Sequence, residues 1–226
     1  KDPEKYPLVL CLNEESGLVQ LRHTINPDLM YSKYWYKSGV NQSMKNALRD
    51  IVEQAKKRVE LNPGDIVVDA ASNDWELLSN YSTDYIRVGI DPSDIRPSIE
   101  LTSKDHYIND YFSEAAYKDV LGDQKAKIIT SICVFYDLED PIAFAKGVKK
   151  ILDEDGLWVM EMSYLPTMLM RSGFEAICHE HLEFYSLQSI EYILSKAYMV
   201  VEDIEFNDVN GGSFRLYIRH KGKENI

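Results

Sequence analysis

Apolar side chains recur with two different spacings along the chain, and each spacing predicts a type of secondary structure. Between residues 42 and 60, seven apolar side chains follow one another at intervals of three and four, the pattern of a helix with one buried face. The turn-forming residues 62–65 (Asn-Pro-Gly-Asp) end this helix. Because the first 41 residues lack this regularity, we predict two parts, an N-terminal arm at 1–41 and a folded domain at 42–226.

Short apolar runs then alternate with stretches of helical character. The predicted strands are 66–68, 86–90, 107–109, 127–134, 157–162, 199–206 and 214–219. The predicted helices after the first are 75–81, 141–152 and 186–197. Strands that alternate with helices predict a parallel sheet covered on both faces. The last two strands follow each other across a turn rich in Asn and Gly, so we predict a terminal antiparallel hairpin after five parallel strands.

The ends of the chain differ from this α/β pattern. The first 41 residues are aromatic and irregular, with Tyr31, Tyr34, Trp35 and Tyr36 close together, and they predict an arm or cap over the domain. Packing alone is the simplest explanation of such a cluster. The last residues, 221–226, are polar, and we expect them to fray. The chain begins without a Met, so we expect a piece of a longer protein.

Composition and charge exclude several classes of function. The chain has 25 basic and 37 acidic residues, a net charge of −12, whereas a protein that binds nucleic-acid backbones needs a basic face. Its apolar runs are far shorter than the roughly 20 residues of a membrane span. Its three cysteines are widely spread, which favours a reducing cytoplasm over a disulfide framework. We therefore expect a cytoplasmic protein with no nucleic-acid and no membrane partner.

Three loops follow the predicted parallel strands, where open α/β sheets bind their ligands. They are residues 69–74, the pair Asp91-Pro92, and residues 131–137. A carboxylate such as Asp91 suits the two hydroxyls of a ribose, and it lies 91 − 69 = 22 residues after Asp69. The first loop contains no Gly, so it is not the dinucleotide fingerprint. On residue type alone both acids could equally cap helices or turns, but their spacing favours a nucleoside site.

Seven segments of the chain resemble one family of enzymes. They are 17–21, 34–39, 68–74, 88–93, 109–113, 178–186 and 210–215. Together they look like the motifs of S-adenosylmethionine-dependent C-methyltransferases, in particular the group that methylates nucleotide-linked keto-deoxysugars. Each segment alone is weak, but the set runs in order over nearly the whole chain. The resemblance implies a class I methyltransferase fold, a Rossmann-like three-layer α/β sandwich with a mostly parallel sheet.

The resemblance also assigns a cofactor side, with S-adenosylmethionine as the cofactor. It implies that Asp91 binds the ribose, that residues 69–74 surround the methionine end, and that Tyr111 or Phe112 flanks the adenine with Asp110 near its amino group. The full set of cofactor residues implied in this way is Asp69, Ala70, Ser72, Asn73, Asp74, Asp91, Pro92, Asp110, Tyr111, Phe112 and Ser131.

The opposite side would hold the acceptor. Methylation of a carbon beside a ketone needs a base, a donor to the enolate oxygen, and alignment with the methyl group. The resemblance implies His181 as the base and Glu180 as a group that orients the substrate. It adds Tyr36 as a donor and Asp137 where the family often has a histidine. The residues implied to bind substrate are Tyr34, His179 and Asn210.

Several positions depart from the family pattern. The family usually has Gly where Ala71 and Trp75 stand, and the indole of Trp75 could either fill the cofactor pocket or point into the core. The family also carries an N-terminal zinc module and a C-terminal domain. Residues 1–41 would be a remnant of that module, but Ser16 stands where a zinc-binding cysteine is expected. Zinc usually needs four thiolate or imidazole ligands, so we predict no metal.

We therefore predict an enzyme that transfers a methyl group from S-adenosylmethionine to a carbon of a nucleotide-activated keto-sugar through an enolate. One alternative is a degenerate module that binds the sugar nucleotide or the cofactor without turnover. Another is a methyltransferase with an oxygen or nitrogen acceptor, although the sequence His179-Glu180-His181 favours an acidic carbon. The sequence does not identify the sugar, the nucleotide or the ring carbon.

Overall fold

A computed structural model describes residues 5–31 and 33–223 of the chain. Residues 1–4, 32 and 224–226 lie outside this part, including the last half of the tail that we expected to fray. The strands are β1 (Leu10–Asn13), β2 (Leu18–Leu21), β3 (Ile66–Ala70), β4 (Ile86–Ile90), β5 (Asp105–Ile108), β6 (Ala126–Ile132), β7 (Leu152–Ser163), β8 (Glu183–Phe184), β9 (Met199–Asn207) and β10 (Ser213–His220). The α-helices are α1 (Asp28–Tyr31), α2 (Gln42–Arg58), α3 (Glu114–Leu121), α4 (Pro141–Ile151), α5 (Leu165–Arg171) and α6 (Leu187–Lys196).

Seven strands form the central sheet, in the order β5-β4-β3-β6-β7-β10-β9. The first five of these are parallel, and β10 pairs antiparallel with both β7 and β9. The predicted class I methyltransferase topology, five parallel strands and a terminal antiparallel hairpin, is therefore confirmed. Strand β3 lies inside the sheet between β4 and β6 with all five residues buried, which explains why it has an almost unbroken apolar sequence.

Helices cover both faces of the sheet and give it three layers. On one face, the buried side of α2 packs against residues of β3, β6, β7 and β10, including Val67 and Tyr217. On the other face, α3, α4 and α6 pack over neighbouring strand residues such as Val68 and Met160. Successive strand residues point to opposite faces, so Val67 and Val68 belong to different core clusters.

The predicted helix at 75–81 was wrong, because only a 3-10 turn, Leu78–Asn80, is present there. Ala71, Asn73 and Trp75 have φ angles of 65°, 47° and 75°, in the left-handed region. An α-helix requires consecutive right-handed residues, so it cannot begin before this loop ends. The apolar spacing of the segment instead reflects side chains that pack under α2.

The N-terminal arm is more regular than its sequence predicted. Strands β1 and β2 pair antiparallel, and β2 also pairs with β8 from the far end of the chain. In this small sheet β1 is largely exposed, whereas Leu18 and Leu21 of β2 are buried. With so few buried positions, β1 and β2 lack a pattern that sequence alone can identify. Residues 26–39 then cross the carboxyl ends of the parallel strands.

Two helices begin beside those strand ends with side-chain caps. Ser113 accepts a hydrogen bond from Ala116 N at 3.1 Å at the start of α3. Asp140 accepts one from Ala143 N at 2.9 Å at the start of α4. Such caps satisfy amide groups that a first helical turn leaves unpaired, and they fix where each helix starts.

Candidate functional site

A cavity of about 1170 Å³ opens where the carboxyl ends of β3, β4, β6 and β7 meet the N-terminal arm. Two thirds of the side chains that the sequence predicted for the site border this one cavity, although they come from seven separate parts of the chain. They are Tyr34, Tyr36, Asp69, Ser72, Asn73, Asp91, Pro92, Tyr111, Phe112, Asp137, His181 and Asn210. Its volume is in the upper range for sites that bind small molecules or cofactors.

Four residues predicted on the cofactor side do not border the cavity. Ala70 is the buried last residue of β3, and Ser131 accepts a hydrogen bond from the indole of Trp158 at 2.9 Å. The Asp110 carboxylate accepts from Tyr111 N at 2.7 Å on the exposed surface. The Asp74 carboxylate bonds to the arm instead of facing the cavity. Their cofactor-binding roles stay predictions.

Two residues predicted on the acceptor side also lie outside the cavity lining. The ring Nε2 of His179 lies 3.3 Å from the carbonyl oxygen of Pro7, next to the N-terminal segment. The carbonyl oxygen of Glu180 accepts a hydrogen bond from the Tyr31 hydroxyl at 3.2 Å. Of the three consecutive residues His179, Glu180 and His181, only His181 lines the cavity.

Asp69 at the end of β3 is a buried carboxyl with a single side-chain partner. It accepts a hydrogen bond from the Thr130 hydroxyl at 2.6 Å. Burial is the main cause that raises the pKa of Asp69 to about 8; the Thr130 bond opposes this rise, and the charge of Asp91 contributes to it. At neutral pH the carboxyl is therefore mainly protonated, and a cation placed beside it would favour the ionised form.

Asp91 at the end of β4 is held rigidly by its neighbours. One carboxylate oxygen accepts from Ser93 N at 2.9 Å and from the Ser93 hydroxyl at 2.5 Å. The other accepts from Asn73 N at 2.8 Å. A carboxylate has about four lone-pair positions, so the oxygen that faces Asn73 retains the capacity to accept from a ligand.

Ser72 contributes a polar group with no partner in the protein. Its hydroxyl is buried, borders the cavity, and has no hydrogen-bond partner among the described residues. A buried hydroxyl without a partner costs free energy, so such groups often mark the position of a bound molecule. The pair of acids and this hydroxyl give one half of the cavity the character of a site for a cationic, hydroxyl-bearing ligand.

Trp75 points into the core and leaves the cavity open. Its side chain is fully buried in the cluster beneath α2, and it is not among the cavity residues. The ring lies over Gly89 of β4 so closely that a Cβ atom there would be 2.5 Å from Trp75 Cζ3. The indole therefore fills core space and does not obstruct the site.

The other half of the cavity is roofed by tyrosines of the arm. Tyr31, Tyr34 and Tyr36 form a chain of ring contacts, with centroids 5.8 Å and 6.5 Å apart. Burial raises the pKa of each of these phenols above its ordinary value. Because the phenols keep their protons, they can donate hydrogen bonds to a ligand but are poor bases.

His181 is the titratable ring nearest to these tyrosines. Its Nδ1 lies 2.7 Å from the carbonyl oxygen of Ala176, which can only accept, so Nδ1 carries the proton. In the neutral ring Nε2 is then the free lone pair. Burial alone would lower the pKa of His181, but a hydrogen bond with Cys178 and the charge of Asp137 raise it to about 9.

Asp137 lies beside His181 and is partly buried, with its Oδ1 shielded from solvent. Its Oδ1 has no hydrogen-bond partner among the described residues. Burial raises the pKa of Asp137 well above the ordinary value, while the positive charge of His181 opposes the rise. Such a pair titrates as one unit, and it holds a proton at neutral pH.

Several cavity residues had no place in the predicted site. Tyr136 stacks on His181 with ring centroids 4.3 Å apart, and Cys133 accepts a hydrogen bond from the Asn210 amide at 3.3 Å. Both belong to the loop after β6. The sequence pointed to this loop because it follows a parallel strand, and the same reasoning could have included these two residues. Lys146 and Lys150 of α4 also border the cavity, and nothing in their spacing distinguishes them from other surface lysines.

Two further kinds of site were sought in the described part of the chain. Within residues 5–31 and 33–223, no group of three or more His, Cys, Asp or Glu side chains is arranged to hold a metal ion. In the same residues, no helix has both the length and the hydropathy required to cross a membrane.

Solved structures with a similar fold include methyltransferases. Magnesium protoporphyrin IX methyltransferase from Synechocystis PCC 6803, solved with bound S-adenosylhomocysteine, is 14% identical with a TM-score of 0.58. That comparison covers 80% of this chain and 89% of the other. A toxoflavin-precursor N1-methyltransferase from Burkholderia thailandensis is 9% identical with a TM-score of 0.59, and 78% and 79% of the two chains are covered. At these identities the likeness concerns the fold alone.

Two sequence comparisons are more specific. The C-methyltransferase NovU of Streptomyces niveus is 27% identical over 217 residues, which is 94% of this chain and 51% of NovU. The chain thus spans about half the length of this curated relative. The profile of the family described as "Methyltransferase domain" matches residues 41–200, from the start of α2 to the beginning of β9. Because this match covers most of the chain and the whole parallel part of the sheet, the chain belongs to the methyltransferase domain family.

Proposed function

We propose that the protein transfers a methyl group from S-adenosylmethionine to a carbon of a nucleotide-activated keto-sugar through an enolate intermediate. The observation that carries this proposal is a single cavity with two chemically different halves. One half presents Asp69, Asp91 and Ser72, and the other presents His181 beneath the tyrosines of the arm. The name of the relative NovU, a C-methyltransferase, supports carbon as the acceptor atom.

The cofactor half fits S-adenosylmethionine in charge and in hydrogen-bonding capacity. The ammonium and sulfonium of this cofactor are cationic, which suits the acidic pair Asp69 and Asp91. Asp91 has a free lone pair for a ribose hydroxyl, and the Ser72 hydroxyl lacks a partner. Tyr111 and Phe112 provide aromatic surface for an adenine ring. When bound, the cofactor supplies an electrophilic methyl group.

The acceptor half fits the removal of a proton beside a ketone. His181 would accept that proton at Nε2, because Nδ1–H is held by Ala176. Tyr36, or Tyr34 beside it, would donate to the enolate oxygen, since burial keeps both phenols protonated. Glu180 and Asn210 remain the proposed substrate contacts, together with His179.

Trp75 bears on the alternative of a binding module without turnover. That alternative drew on Trp75 and on the lost zinc ligand, and the Trp75 ring packs in the core instead of the cofactor pocket. A nitrogen acceptor would need no strong base, whereas this cavity contains a histidine with a raised pKa. We also propose a cytoplasmic location, for which the three free cysteines are the support.

Solvent deuterium exchange tests the acceptor half. The protein is incubated in D2O with a panel of nucleotide-linked 4-keto sugars and no methyl donor, and deuterium at the carbon beside the ketone is measured by mass spectrometry. We expect His181→Ala to slow exchange by about 10²–10⁴, the range for a positioned base. The comparison is His179→Ala, which removes the other imidazole of the segment; if that variant slows exchange and His181→Ala does not, His179 is the base. Equal rates in the parent and His181→Ala would remove His181 from its role.

Calorimetry tests the cofactor half separately. S-adenosylhomocysteine should bind the parent, and Asp91→Ala should weaken it, because hydrogen bonds to a charged group are each worth about 1.5–3 kcal/mol. Unchanged affinity in Asp91→Ala would contradict the ribose assignment. Methyl transfer from S-adenosylmethionine to the same sugar panel, followed by product mass, then tests the complete reaction.

A further inference from the structure

The N-terminal arm is fastened to the loop after β3 by two side chains of that loop. The Asn73 side chain accepts a hydrogen bond from Ser38 N at 3.0 Å and donates one to the carbonyl oxygen of Tyr36, also at 3.0 Å. The Asp74 carboxylate accepts one from Gly39 N at 3.0 Å. All three partners on the arm are main-chain groups, so these bonds fix the path of the arm itself.

Gly39 lies unusually close to this loop. A Cβ atom at residue 39 would be 2.8 Å from the Asp74 carboxylate and 2.9 Å from that of Glu76, so a larger residue would displace these carboxylates. The Asp74 main chain is itself anchored, because Ser98 donates to its carbonyl oxygen from both its amide, at 2.9 Å, and its hydroxyl, at 3.0 Å. The loop side of the contact is therefore rigid.

The fastened segment carries the tyrosines that roof the acceptor half of the cavity. Tyr36 lies two residues before the first bonded amide, that of Ser38, and Tyr34 lies two residues before Tyr36. This part of the arm has few apolar anchors of its own, since Trp35 is 84% exposed and Val40 is 80% exposed. With little buried apolar area, the position of the phenols depends strongly on hydrogen bonds.

Asn73 also connects the arm to the carboxylate proposed to bind ribose. Its amide donates to Asp91 at 2.8 Å while its side chain holds Ser38 and Tyr36. One residue thus contacts the cofactor half of the cavity through its main chain and the acceptor half through its side chain.

We infer that Asn73 and Asp74 are positioning residues, which hold Tyr34 and Tyr36 over the acceptor and couple their placement to cofactor binding at Asp91. The coupling rests on the proposed function, whereas the fastening does not. The side chains of Asn73 and Asp74 act through the arm and not by contact with the cofactor. Linkage is reciprocal. If bound cofactor raises the affinity for the acceptor by some factor, bound acceptor raises the affinity for the cofactor by the same factor.

Amide hydrogen exchange tests the fastening directly, because two of the bonds start from amides. Exchange at Ser38 and Gly39 is measured by mass spectrometry with fragmentation to single residues. We expect Asn73→Ala to speed exchange at Ser38 by about three- to tenfold, and Asp74→Ala to do the same at Gly39. Asp74→Asn retains an acceptor oxygen and should restore most of the protection at Gly39.

The matched control is Asn80→Ala. The side-chain amide of Asn80 donates to Glu76 O at 2.8 Å and to Leu77 O at 3.2 Å, within its own segment and not to the arm. It should leave exchange at Ser38 and Gly39 unchanged. If Asn73→Ala and Asp74→Ala exchange like the parent at both amides, the inference is overturned. Should either alanine variant fail to fold, Asn73→Ser or Asp74→Ser replaces it, because the shorter side chain no longer reaches the arm amide, and faster exchange at Ser38 or Gly39 is again the expected result.

The coupling is tested by repeating the exchange with S-adenosylhomocysteine at saturation. The ligand should slow exchange at Ser38 and Gly39 in the parent by several-fold, and this effect should be lost in Asn73→Ala although calorimetry still detects binding. Binding without any change at these amides in the parent would overturn the coupling. Absence of binding to the parent would contradict the proposed function and the coupling together, while the fastening test stands by itself.

Kinetics separates positioning from a general structural role. In Asn73→Ala we expect kcat/KM for the keto-sugar to fall by about 10- to 100-fold, because the misplacement of a catalytic group by about 1 Å can cost that much. Affinity for S-adenosylhomocysteine should change by less than threefold. Equal losses in cofactor affinity and in acceptor kcat/KM would instead indicate that Asn73 is a cofactor ligand.

Discussion

The charge of Asp69 depends more on its surroundings than on its residue type. An exposed aspartate is ionised at neutral pH, but burial, with the nearby Asp91, raises the pKa of Asp69 to about 8. In the same cavity, Cys178 and Asp137 raise the pKa of His181 and outweigh the effect of burial, so the charged form of the ring is favoured. Both groups should therefore make ligand binding and turnover depend on pH.

We expect binding of S-adenosylhomocysteine to release a proton at pH 7. The ligand's ammonium would stabilise ionised Asp69, so the pKa of Asp69 falls below 7 in the complex and its proton leaves. By linkage, affinity then increases as pH rises towards 8 and levels off above it. Calorimetry in buffers with different ionisation enthalpies measures the proton. In Asp69→Asn the release should disappear, and a parent with no buffer dependence would contradict the assignment.

The acidic limb of the pH–rate profile should lie near 9 if His181 is the base. Only the neutral ring accepts a proton, so the exchange rate increases with pH until the pKa of His181 is passed. Removal of the Asp137 charge destabilises the imidazolium and lowers this pKa. Asp137→Asn should therefore move the limb to lower pH, measured as the exchange rate of the keto-sugar from pH 6 to 10. A limb that does not move would exclude Asp137 as its cause.

At the scale of elements, the loop after β3 shows how a backbone conformation can override an apolar pattern. Ala71, Asn73 and Trp75 take left-handed φ angles, which residues with a Cβ adopt at some cost. The cost at Trp75 is offset by a fully buried indole that packs over Gly89. The shape of the cofactor half of the cavity thus depends on contacts beneath the loop.

Gly89→Ala should destabilise the fold and disturb this loop. The added methyl would lie 2.5 Å from the Trp75 ring and 2.6 Å from the Ser72 hydroxyl, and overpacking of a core typically costs about 1–3 kcal/mol. Urea unfolding measures the free energy. Gly147→Ala in α4 is a suitable comparison, because its Cβ would meet its nearest neighbour at an ordinary 3.6 Å. Equal stability of Gly89→Ala and the parent would contradict the close contact.

At the scale of the whole molecule, an ion network with a buried centre, Arg215 and Glu161, joins α2 to the antiparallel edge of the sheet. Arg215 of β10 bonds to Glu161 of β7 at 2.7 Å and to Asp50 of α2 at 2.8 Å. Arg58 of α2 bonds to Asp203 and Glu205 of β9 at 2.8 Å and 2.9 Å. This network lies outside the cavity lining, so we assign it to stability.

Arg215→Ala should cost about 3–5 kcal/mol of unfolding free energy, because it leaves Glu161, only 1% exposed, without its cation. Arg171→Ala breaks an ion pair of similar length, with Asp208 at 2.8 Å, but both of its side chains are exposed. That change should cost less than about 1 kcal/mol. Chemical denaturation of the two variants compares them, and similar losses would contradict a buried network.

The sequence predicted the sheet well because its strands are buried on both faces and have almost continuous apolar sequences. It missed β1, which is exposed, and the helix α3, whose buried residues Ala116, Tyr117 and Leu121 form too short a stripe. It located the cavity from the strand ends, since topology alone brings those loops together. It could not predict contacts such as that of Tyr31 with Glu180, because the two are 149 residues apart.

The contact between Trp75 and Gly89 restricts the order in which these two positions can change. A smaller residue at 75 leaves a void where the indole was, and a larger residue at 89 collides with the ring. Either single replacement therefore gives a less stable protein than the starting one, even where the double replacement packs well. Trp75 and Gly89 are expected to be inherited together, and to vary together when they vary at all.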